Sequence, residues 1–168
     1  KESFAYSDSV YDTPLLSVKD LHVHFPRGGS GWSSSSKEVV KAVDGVSFDI
    51  RRGQTLAVVG ESGSGKTTTA LSVMRLAPIT SGSVWLGDTN LGELEGEDLR
   101  LARRRLQIVF QDPYSSLNPR QRAGDAVRAP LDLMQVGHPS EREDRVAELF
   151  TQVGLRAEQQ RLFPHQFS

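Results

Sequence analysis

The sequence contains no cysteine and no long apolar run, and these two absences exclude several classes of protein. Without cysteine the chain has neither a disulfide framework nor a thiolate metal site. No stretch of apolar residues approaches the roughly 20 that a membrane-spanning helix needs. We therefore expect any association with a membrane to depend on a partner.

The chain also lacks a strong excess of charge of either sign. Lysine and arginine together number 20, aspartate and glutamate number 21, and the formal net charge is -1. Proteins that coat nucleic acids carry a dominant basic stripe, so this balance argues against nucleic acid as a partner. A length of 168 residues is enough for one domain with its own core. The first residue is Lys1 rather than methionine, which favours a piece of a longer polypeptide.

A glycine-rich stretch that ends in lysine and threonine organises the rest of the chain. Residues 60–67, Gly-Glu-Ser-Gly-Ser-Gly-Lys-Thr, fit the phosphate-binding pattern G-x-x-x-x-G-K-[ST]. The apolar run 55–59 before it predicts a buried parallel strand. The run 68–76 after it predicts a helix, which Pro78 stops. Strand, loop and helix in this order are the context that the motif requires.

The chemistry of such a loop follows from its backbone. Glycines allow conformations closed to other residues, so the loop N–H groups can point at phosphate oxygens. The start of the next helix adds the positive end of its dipole. Lys66 is predicted to reach the β- and γ-phosphates of a nucleotide, and the Thr67 hydroxyl to ligate Mg²⁺. The predicted nucleotide-binding residues of this stretch are Gly60, Ser62, Gly63, Ser64, Gly65, Lys66, Thr67 and Thr68.

The segments before the loop predict a tail followed by antiparallel strands. Residues 1–14 are polar and lack a period, as in a tail or linker. Apolar positions in 15–25 and again in 38–50 predict two or three strands. A Gly- and Ser-rich hairpin tip separates them at 26–36, and Asp44-Gly45 predicts a further turn.

The segments after the loop predict mixed structure and then helices. The predicted strands are 84–86 and 106–110, and the predicted helices are 97–105, 122–135 and 140–153. Ser140 is a predicted N-cap, with Glu143 at the capping-box spacing, and Gly154 is a predicted C-cap. The arginines of 97–105 are interpreted as a solvated helix face rather than a phosphate-binding patch.

Several stretches together carry a resemblance to a known family. They are Lys-Ala-Val-Asp-Gly-Val-Ser-Phe at 41–48, the loop at 60–67, Ser-Gly-Ser-Val at 81–84, Val-Phe-Gln-Asp-Pro at 109–113 and Ser-Ser-Leu-Asn-Pro-Arg at 115–120. In this order and spacing they resemble the ATP-binding subunits of ABC transporters. The last stretch is similar to the branch that contains the oligopeptide, dipeptide and nickel importers.

The resemblance implies an α/β fold, a P-loop NTPase of ABC type. It implies an antiparallel β subdomain, part of a parallel core sheet and the start of a helical subdomain. The corresponding domains are a tail or linker at 1–14, a partial nucleotide-binding core at 15–120 and a truncated helical subdomain at 121–168. A separate P-loop kinase or GTPase is disfavoured, because strands precede the loop and no Asn-Lys-x-Asp guanine reader occurs.

Two further site residues come from the resemblance alone. Phe25 falls where the family places an aromatic side chain that stacks on adenine, and the alternative is a core phenylalanine at a strand end. Gln111 falls on the glutamine that contacts Mg²⁺ or the attacking water, which would make it a catalytic and metal-contacting residue beside Lys66. The alternative for Gln111 is a polar residue at a strand end.

The resemblance also implies partners and a location. The parent protein would use ATP and Mg²⁺ to power import of peptides or similar small solutes. It would pair with a second ABC ATPase domain, as a homo- or heterodimer, and dock on transmembrane permease subunits at the cytoplasmic face of the membrane. A solute-binding protein would be an indirect partner. Two alternatives stay open: a soluble ABC ATPase without a transport role, and a nucleotide-binding fragment without hydrolysis.

The end of the chain departs from the family pattern. Residues 163–168 resemble the lead-in to the signature sequence, and Ser168 resembles its first residue. The family's acidic strand and switch histidine have no counterpart here, and His165 precedes the signature. We therefore expect weak or absent ATP hydrolysis by this chain alone. The histidines His22, His24 and His138 show no clustering in sequence with metal-binding partners, and the sequence predicts no metal site among them.

Overall fold

The structure, a computed structural model, describes residues 13–26, 39–112 and 116–167. The described residues up to Leu106 form one compact unit, and those from Gln107 onward form a second. Most of the predicted tail and hairpin tip lies outside the described residues, as do Ser168 and positions 113–115. The domain boundaries drawn from the sequence stay predictions.

The first unit is built on an antiparallel sheet. Its strands are β1 (Leu16–Pro26), β2 (Val39–Ile50), β3 (Ser81–Leu86) and β4 (Thr89–Asn90), in the order β2-β1-β3-β4. Each neighbouring pair is antiparallel. The alternation of apolar residues in β1 explains this sheet, since one face of the strand can be buried while the other meets solvent. The prediction of antiparallel strands before the loop is confirmed.

The predicted turn at Asp44-Gly45 is wrong, because β2 runs through it without a break. Gly45 has a φ of 80° and is passed over in the pairing, where His22 lies opposite Asp44 and Leu21 opposite Val46. A glycine tolerates this conformation, so the extra residue is absorbed as a β-bulge. The adjacent strand is irregular at Asp20, whose φ is 48°.

The core of the first unit lies on one face of this sheet. Leu21 and Val23 of β1 have no exposed surface, and Val43 of β2 is 4% exposed. The buried set consists of Val18, Leu21, Val23, Val43, Val73, Val84, Leu86 and Leu91. Helix α1 (Lys66–Val73) packs on it through Val73, and is followed by helix α2 (Gly96–Ala102) and a 3-10 turn at Arg103–Arg105.

Helix α1 ends three residues earlier than its apolar pattern predicts. Arg75 takes a φ of 58°, and the Arg103 guanidinium donates hydrogen bonds to the carbonyls of Met74 at 3.2 Å and Arg75 at 2.7 Å. Carbonyls at a helix end have no partner within the helix, and a cation that binds them also complements the helix dipole. At Arg103, therefore, the interpretation of a merely solvated basic face is wrong.

The two predicted buried strands, 55–59 and 106–110, are not strands in this structure. Val59 and Val109 are both 88% exposed. A parallel strand is stable when neighbouring strands satisfy its backbone and both faces are covered. Among the described residues no strand pairs with either segment, so the apolar runs stay open to solvent.

The second unit is helical. Helix α3 (Ala123–Leu133) and helix α4 (Arg142–Gln152) pack together with a 3-10 turn at Ala157–Arg161. Short 3-10 turns also occur at Pro139–Glu141 and Pro164–Gln166. Val146 and Phe150, 2% and 4% exposed, fill the contact, as their helical spacing predicts.

Of the two capping predictions for α4, the one at its C-terminal end is confirmed and the one at its N-terminal end is wrong. Gly154 follows the helix with a φ of 82°, and its N–H donates to the Thr151 carbonyl at 3.0 Å, which confirms the C-cap. The Ser140 N-cap is wrong, because Ser140 lies within a 3-10 turn and its hydroxyl is 2.7 Å from His138 Nδ1. Among the described residues no helix is long and apolar enough to cross a bilayer.

Candidate functional site

Glycine residues determine the shape of the loop at 60–67 in two ways. They adopt backbone conformations that other residues rarely adopt, and at some positions a side chain would clash with neighbouring atoms. Gly63 and Gly65 have φ values of 81° and 90°. A Cβ on Gly65 would lie 2.2 Å from the Ala42 carbonyl oxygen of β2, which is a steric clash with backbone. A Cβ on Gly60 would lie 2.7 Å from Ser64 Oγ. The loop therefore closes on itself and on β2 only because these positions carry no side chain.

The Lys66 side chain folds over this loop. Its Nζ donates to the carbonyl oxygens of Gly60 at 2.8 Å and Glu61 at 2.6 Å, and to Ser64 Oγ at 3.2 Å. The Ser64 N–H also donates to the Glu61 carbonyl at 3.2 Å, which closes the turn. An ammonium group has three donors, and here all three act on the loop, so the positive charge is fixed above it.

The start of α1 is prepared for an anion. Gly65 is its N-cap, and among the described residues no side chain caps the helix and no acidic residue lies in its first turn. The Gly65 carbonyl accepts from the Thr69 N–H at 2.8 Å and from its hydroxyl at 3.0 Å, which holds the first turn in place. The first N–H groups and the positive dipole end are thus available to a ligand. Thr67 is exposed and Thr68 is half-buried at this point.

The structure brings the predicted residues of the phosphate loop together. The stretch from Gly60 through Thr68 forms one continuous surface of loop and helix start. Phe25 lies near the end of β1 opposite Val40, and the residue is 36% exposed. Gln111 is exposed and belongs to the second unit. The roles given to Phe25 and Gln111 by the resemblance stay predictions.

A second polar cluster, which the sequence interpretation missed, lies on β1 and β2. His22 Nδ1 is 2.9 Å and His24 Nε2 is 3.3 Å from the same oxygen, Asp44 Oδ1. Lys41 Nζ lies 3.1 Å from the other oxygen of Asp44, and His22 Nε2 lies 3.1 Å from Asp20 Oδ1. The expectation that the histidines have no clustered metal-binding partners is wrong for His22 and His24. The available signal was the spacing of two between the histidines, which places both on one face of a strand.

The charges in this cluster shift two titrations. The pKa of Asp44 is lowered to about 2, first by the hydrogen bond from Lys41 and then by that from His22. The pKa of His22 is raised above 6.5, chiefly by its hydrogen bond to Asp44, with partial burial acting in the opposite direction and Asp20 adding to the rise. Both shifts favour the charged forms of the pair.

The comparison with protein families decides the identity of the loop and its surroundings. A family model described as ABC transporter matches residues 43–168. The chain belongs to the ABC transporter family. The match contains the phosphate loop and the whole helical unit, so the ABC-type P-loop fold expected from the sequence is confirmed.

Relatives within the ABC family include ATP-binding proteins of importers. The chain is 43% identical over 158 residues to the oligopeptide transport ATP-binding protein OppF of Bacillus subtilis, covering 92% of this chain and 48% of that protein. It is 39% identical over 168 residues to the glutathione import ATP-binding protein GsiA of Salmonella paratyphi A, covering 99% of this chain and 27% of that protein. The chain thus spans less than half the length of either relative.

Solved ABC structures share the fold. A dimeric structure of the ATP-binding cassette MJ0796, in a post-hydrolysis state bound to ADP and Pi, matches with a TM-score of 0.70 and 25% identity. The match covers 91% of this chain and 63% of that one. Another dimeric structure of MJ0796, described as a bacterial ABC transporter cassette, matches with a TM-score of 0.69.

Proposed function

We propose that this chain is the nucleotide-binding part of an ABC ATPase that powers import of peptides or similar small solutes. The observation that carries the proposal is the conformation of the loop at 60–67. Its glycines allow the backbone to curl beside the Lys66 ammonium, and it leads into the start of α1, which no side chain caps among the described residues. The importer relatives support the direction and the class of cargo. The ATP would bind as Mg-ATP, with its phosphates at this cradle.

The residues at the loop fit a bound polyphosphate. The N–H groups of Gly60 to Thr68, apart from that of Ser64, would donate to phosphate oxygens, and Ser62 and Ser64 would add hydroxyl donors. Lys66 would exchange one of its carbonyl acceptors for a phosphate, which is favourable because a hydrogen bond between two charged groups is stronger than one to a neutral carbonyl. Removal of the Lys66 ammonium would therefore weaken nucleotide binding more than any other single truncation in the loop.

A magnesium ion would also be held in part by this chain. The exposed Thr67 hydroxyl at the start of α1 is the donor that we assign to it, and Gln111 would contribute a neutral amide oxygen. Bound Mg²⁺ supplies charge neutralisation for the phosphates during hydrolysis. Phe25, exposed at the end of β1, would stack on the adenine ring.

Import requires partners that this chain does not contain. We propose a second ABC ATPase domain, transmembrane permease subunits and, indirectly, a solute-binding protein. This would place the protein at the cytoplasmic face of the membrane. The dimeric state of the MJ0796 cassette supports paired ATPase domains. The differential affinity of two conformations for ATP would then drive the permease between its states.

The 168-residue chain alone favours a second candidate function, nucleotide binding without hydrolysis. Segments 55–59 and 106–110 flank the phosphate loop and Gln111, and no strand pairs with them among the described residues. Catalysis requires that the reacting groups are held in a fixed geometry. Segments without a pairing strand do not fix the phosphate loop and Gln111 in this way. We expect phosphate release by this chain alone to be far below that of the complete protein.

Transport by the complete protein tests the proposal. Membrane vesicles carrying it with its permease subunits should take up a labelled oligopeptide when ATP is present. Lys66→Ala should abolish uptake, whereas Lys19→Ala, which removes an exposed lysine on β1, should leave it unchanged. The proposal is contradicted if uptake survives Lys66→Ala, or if the protein neither associates with membrane subunits nor supports uptake.

A further inference from the structure

The outer face of the sheet in the first unit carries a compact group of metal-ligating atoms. His22 and His24 lie on one side of β1, while Val23 between them and Leu21 just before them are fully buried on the other. Asp44 of β2 lies opposite His22 in the strand pairing. One ligand atom from each of His22, His24 and Asp44 can be chosen so that all lie within 4.8 Å of one another.

The distances in this group approach those of a coordination shell. Zinc binds imidazole nitrogen and carboxylate oxygen at about 2.0–2.2 Å, which places neighbouring tetrahedral ligands about 3.3 Å apart. His24 Nε2 lies 3.3 Å from Asp44 Oδ1, and His22 Nδ1 lies 2.9 Å from it. We propose that His22 Nδ1, His24 Nε2 and the Asp44 carboxylate bind a divalent transition metal ion of the zinc class, at a site separate from the phosphate loop.

Supporting groups hold two of the three ligands in place. Asp20 Oδ1 lies 3.1 Å from His22 Nε2, so a proton on Nε2 leaves the Nδ1 lone pair for a metal. Lys41 Nζ lies 3.1 Å from Asp44 Oδ2 and fixes that carboxylate. Asp20 is itself positioned by the bulge in β1, where its N–H donates to Ser47 Oγ at 2.8 Å. Carboxylate, histidine and ligand atom therefore form the kind of chain that orients metal-binding imidazoles.

The surroundings also favour a divalent cation. Two carboxylates, Asp20 and Asp44, face one ammonium, Lys41, and two imidazoles that are neutral when they ligate. Imidazole with carboxylate suits zinc and its neighbours, whereas magnesium and calcium prefer oxygen ligands alone. On binding, the ion would take the Nδ1 lone pair of His22 and release any proton held there to solvent.

The site is reachable from solvent and links two strands. The His22 and His24 side chains are 23% and 22% exposed, and that of Asp44 is 48% exposed. Three protein ligands leave a coordination position for water. A bound ion would join β1 to β2 directly beside Phe25, so it would restrain the strand end that presents this aromatic residue. The inference does not depend on the proposed transport function.

The experiment is a titration of the tag-free 168-residue chain with Co²⁺ and then Zn²⁺, read by visible absorption and calorimetry. With four histidines and no cysteine in the whole sequence, the background of competing ligands is small. We expect one ion per chain, an intense tetrahedral Co²⁺ spectrum that Zn²⁺ abolishes, and proton release on binding. His22→Ala and His24→Ala should each weaken binding at least about tenfold, and Asp20→Asn about 10- to 100-fold.

A matched control lies in the second unit. His138→Ala removes a histidine whose Nδ1 bonds to Ser140, and it should leave the metal affinity unchanged. The proposal is overturned if the unaltered chain binds no stoichiometric Co²⁺ or gives only a weak octahedral spectrum. It is also overturned if His138→Ala weakens binding as much as His24→Ala. Because the spectrum of the unaltered chain reports the ligand geometry directly, a variant that fails to fold does not remove the test.

Discussion

At the scale of single residues, two separate features of the structure require glycine at position 65: its backbone conformation and its close contact with a neighbouring strand. Its φ of 90° lies in the left-handed region, and a Cβ at this position would lie only 2.2 Å from the Ala42 carbonyl oxygen. It also starts helix α1, whose first N–H groups point toward the proposed phosphate site. The conformation of the phosphate loop and its close contact with β2 therefore both depend on the absence of a Cβ at Gly65.

Gly65→Ala should destabilise the fold more than Gly63→Ala does. Gly63 has a similar φ of 81° but no atom within 4 Å of a built Cβ, so Gly63→Ala measures backbone strain alone, about 1–2 kcal/mol. Gly65→Ala adds a clash with backbone, which costs about a further 1–3 kcal/mol. Urea unfolding of both variants gives the comparison. Equal losses would show that the close approach to Ala42 has no energetic effect.

A functional site was predictable from the sequence where its residues are consecutive in the chain. The loop from Gly60 to Thr67 acts through consecutive residues, so its letters and their order suffice to find it. The cluster of His22, His24 and Asp44 was not predictable in this way, because Asp44 lies 20 residues beyond His24 and reaches it only through strand pairing with bulges. A shift of one residue in that register would turn Asp44 to the opposite face.

At the scale of elements, two apolar segments with strand-like sequences are exposed rather than paired. Val59 in segment 55–59 is 88% exposed, whereas Val23 in β1 is fully buried. Apolar content alone cannot distinguish these cases, because a parallel strand is stabilised by neighbours from distant parts of a chain. The strand prediction failed here for that reason, while it succeeded for β1, whose partners β2 and β3 are within the described residues.

The same substitution at two valines measures this difference. Val23→Ala removes two methyl groups from the core and should cost about 2 kcal/mol, including the cavity that is left. Val59→Ala should change the free energy of unfolding by no more than about 0.5 kcal/mol, as exposed substitutions do. Denaturant unfolding of the 168-residue chain compares them. A loss at Val59 as large as that at Val23 would mean that segment 55–59 is packed in a sheet.

Helices α3 and α4 are joined by a buried arginine that the sequence interpretation did not single out. Arg142 is 9% exposed and donates to Asp132 Oδ1 at 2.8 Å and to the carbonyls of Val136 and Gly137. The hydrogen bond from Arg142 lowers the pKa of Asp132 below its ordinary value of 3.8, and Arg128 contributes further. The carboxylate form of Asp132 is therefore stabilised by folding.

This pairing predicts how stability depends on pH. A carboxyl group whose pKa is lower in the folded than in the unfolded chain stabilises the fold fully above about pH 4, and the stabilisation is lost as the pH falls through the folded pKa. The difference in unfolding free energy between the unaltered chain and Asp132→Asn should thus shrink from pH 6 to pH 3. A constant difference for Asp132→Asn would contradict the assignment.

At the scale of the whole molecule, the order of motifs was enough to identify the family. The pieces at 41–48, 60–67 and 81–84 each have little specificity alone, but their spacing matches the ABC pattern, and the family comparison covers residues 43–168. The exposure of segments 55–59 and 106–110 was not predictable, because their apolar composition does not show whether a neighbouring strand pairs with them, and none does among the described residues. The helical unit and the antiparallel sheet each have their own buried residues.

The most direct test of the central claim, that the loop at 60–67 is a formed phosphate site, is a calorimetric titration of this chain with Mg-ATP. We expect saturable binding that Lys66→Ala removes and Lys19→Ala retains. At about 100 times the dissociation constant, the ligand should also add roughly 2.7 kcal/mol to the free energy of unfolding. Binding of equal strength by Lys66→Ala, or no binding by the unaltered chain, would contradict the claim.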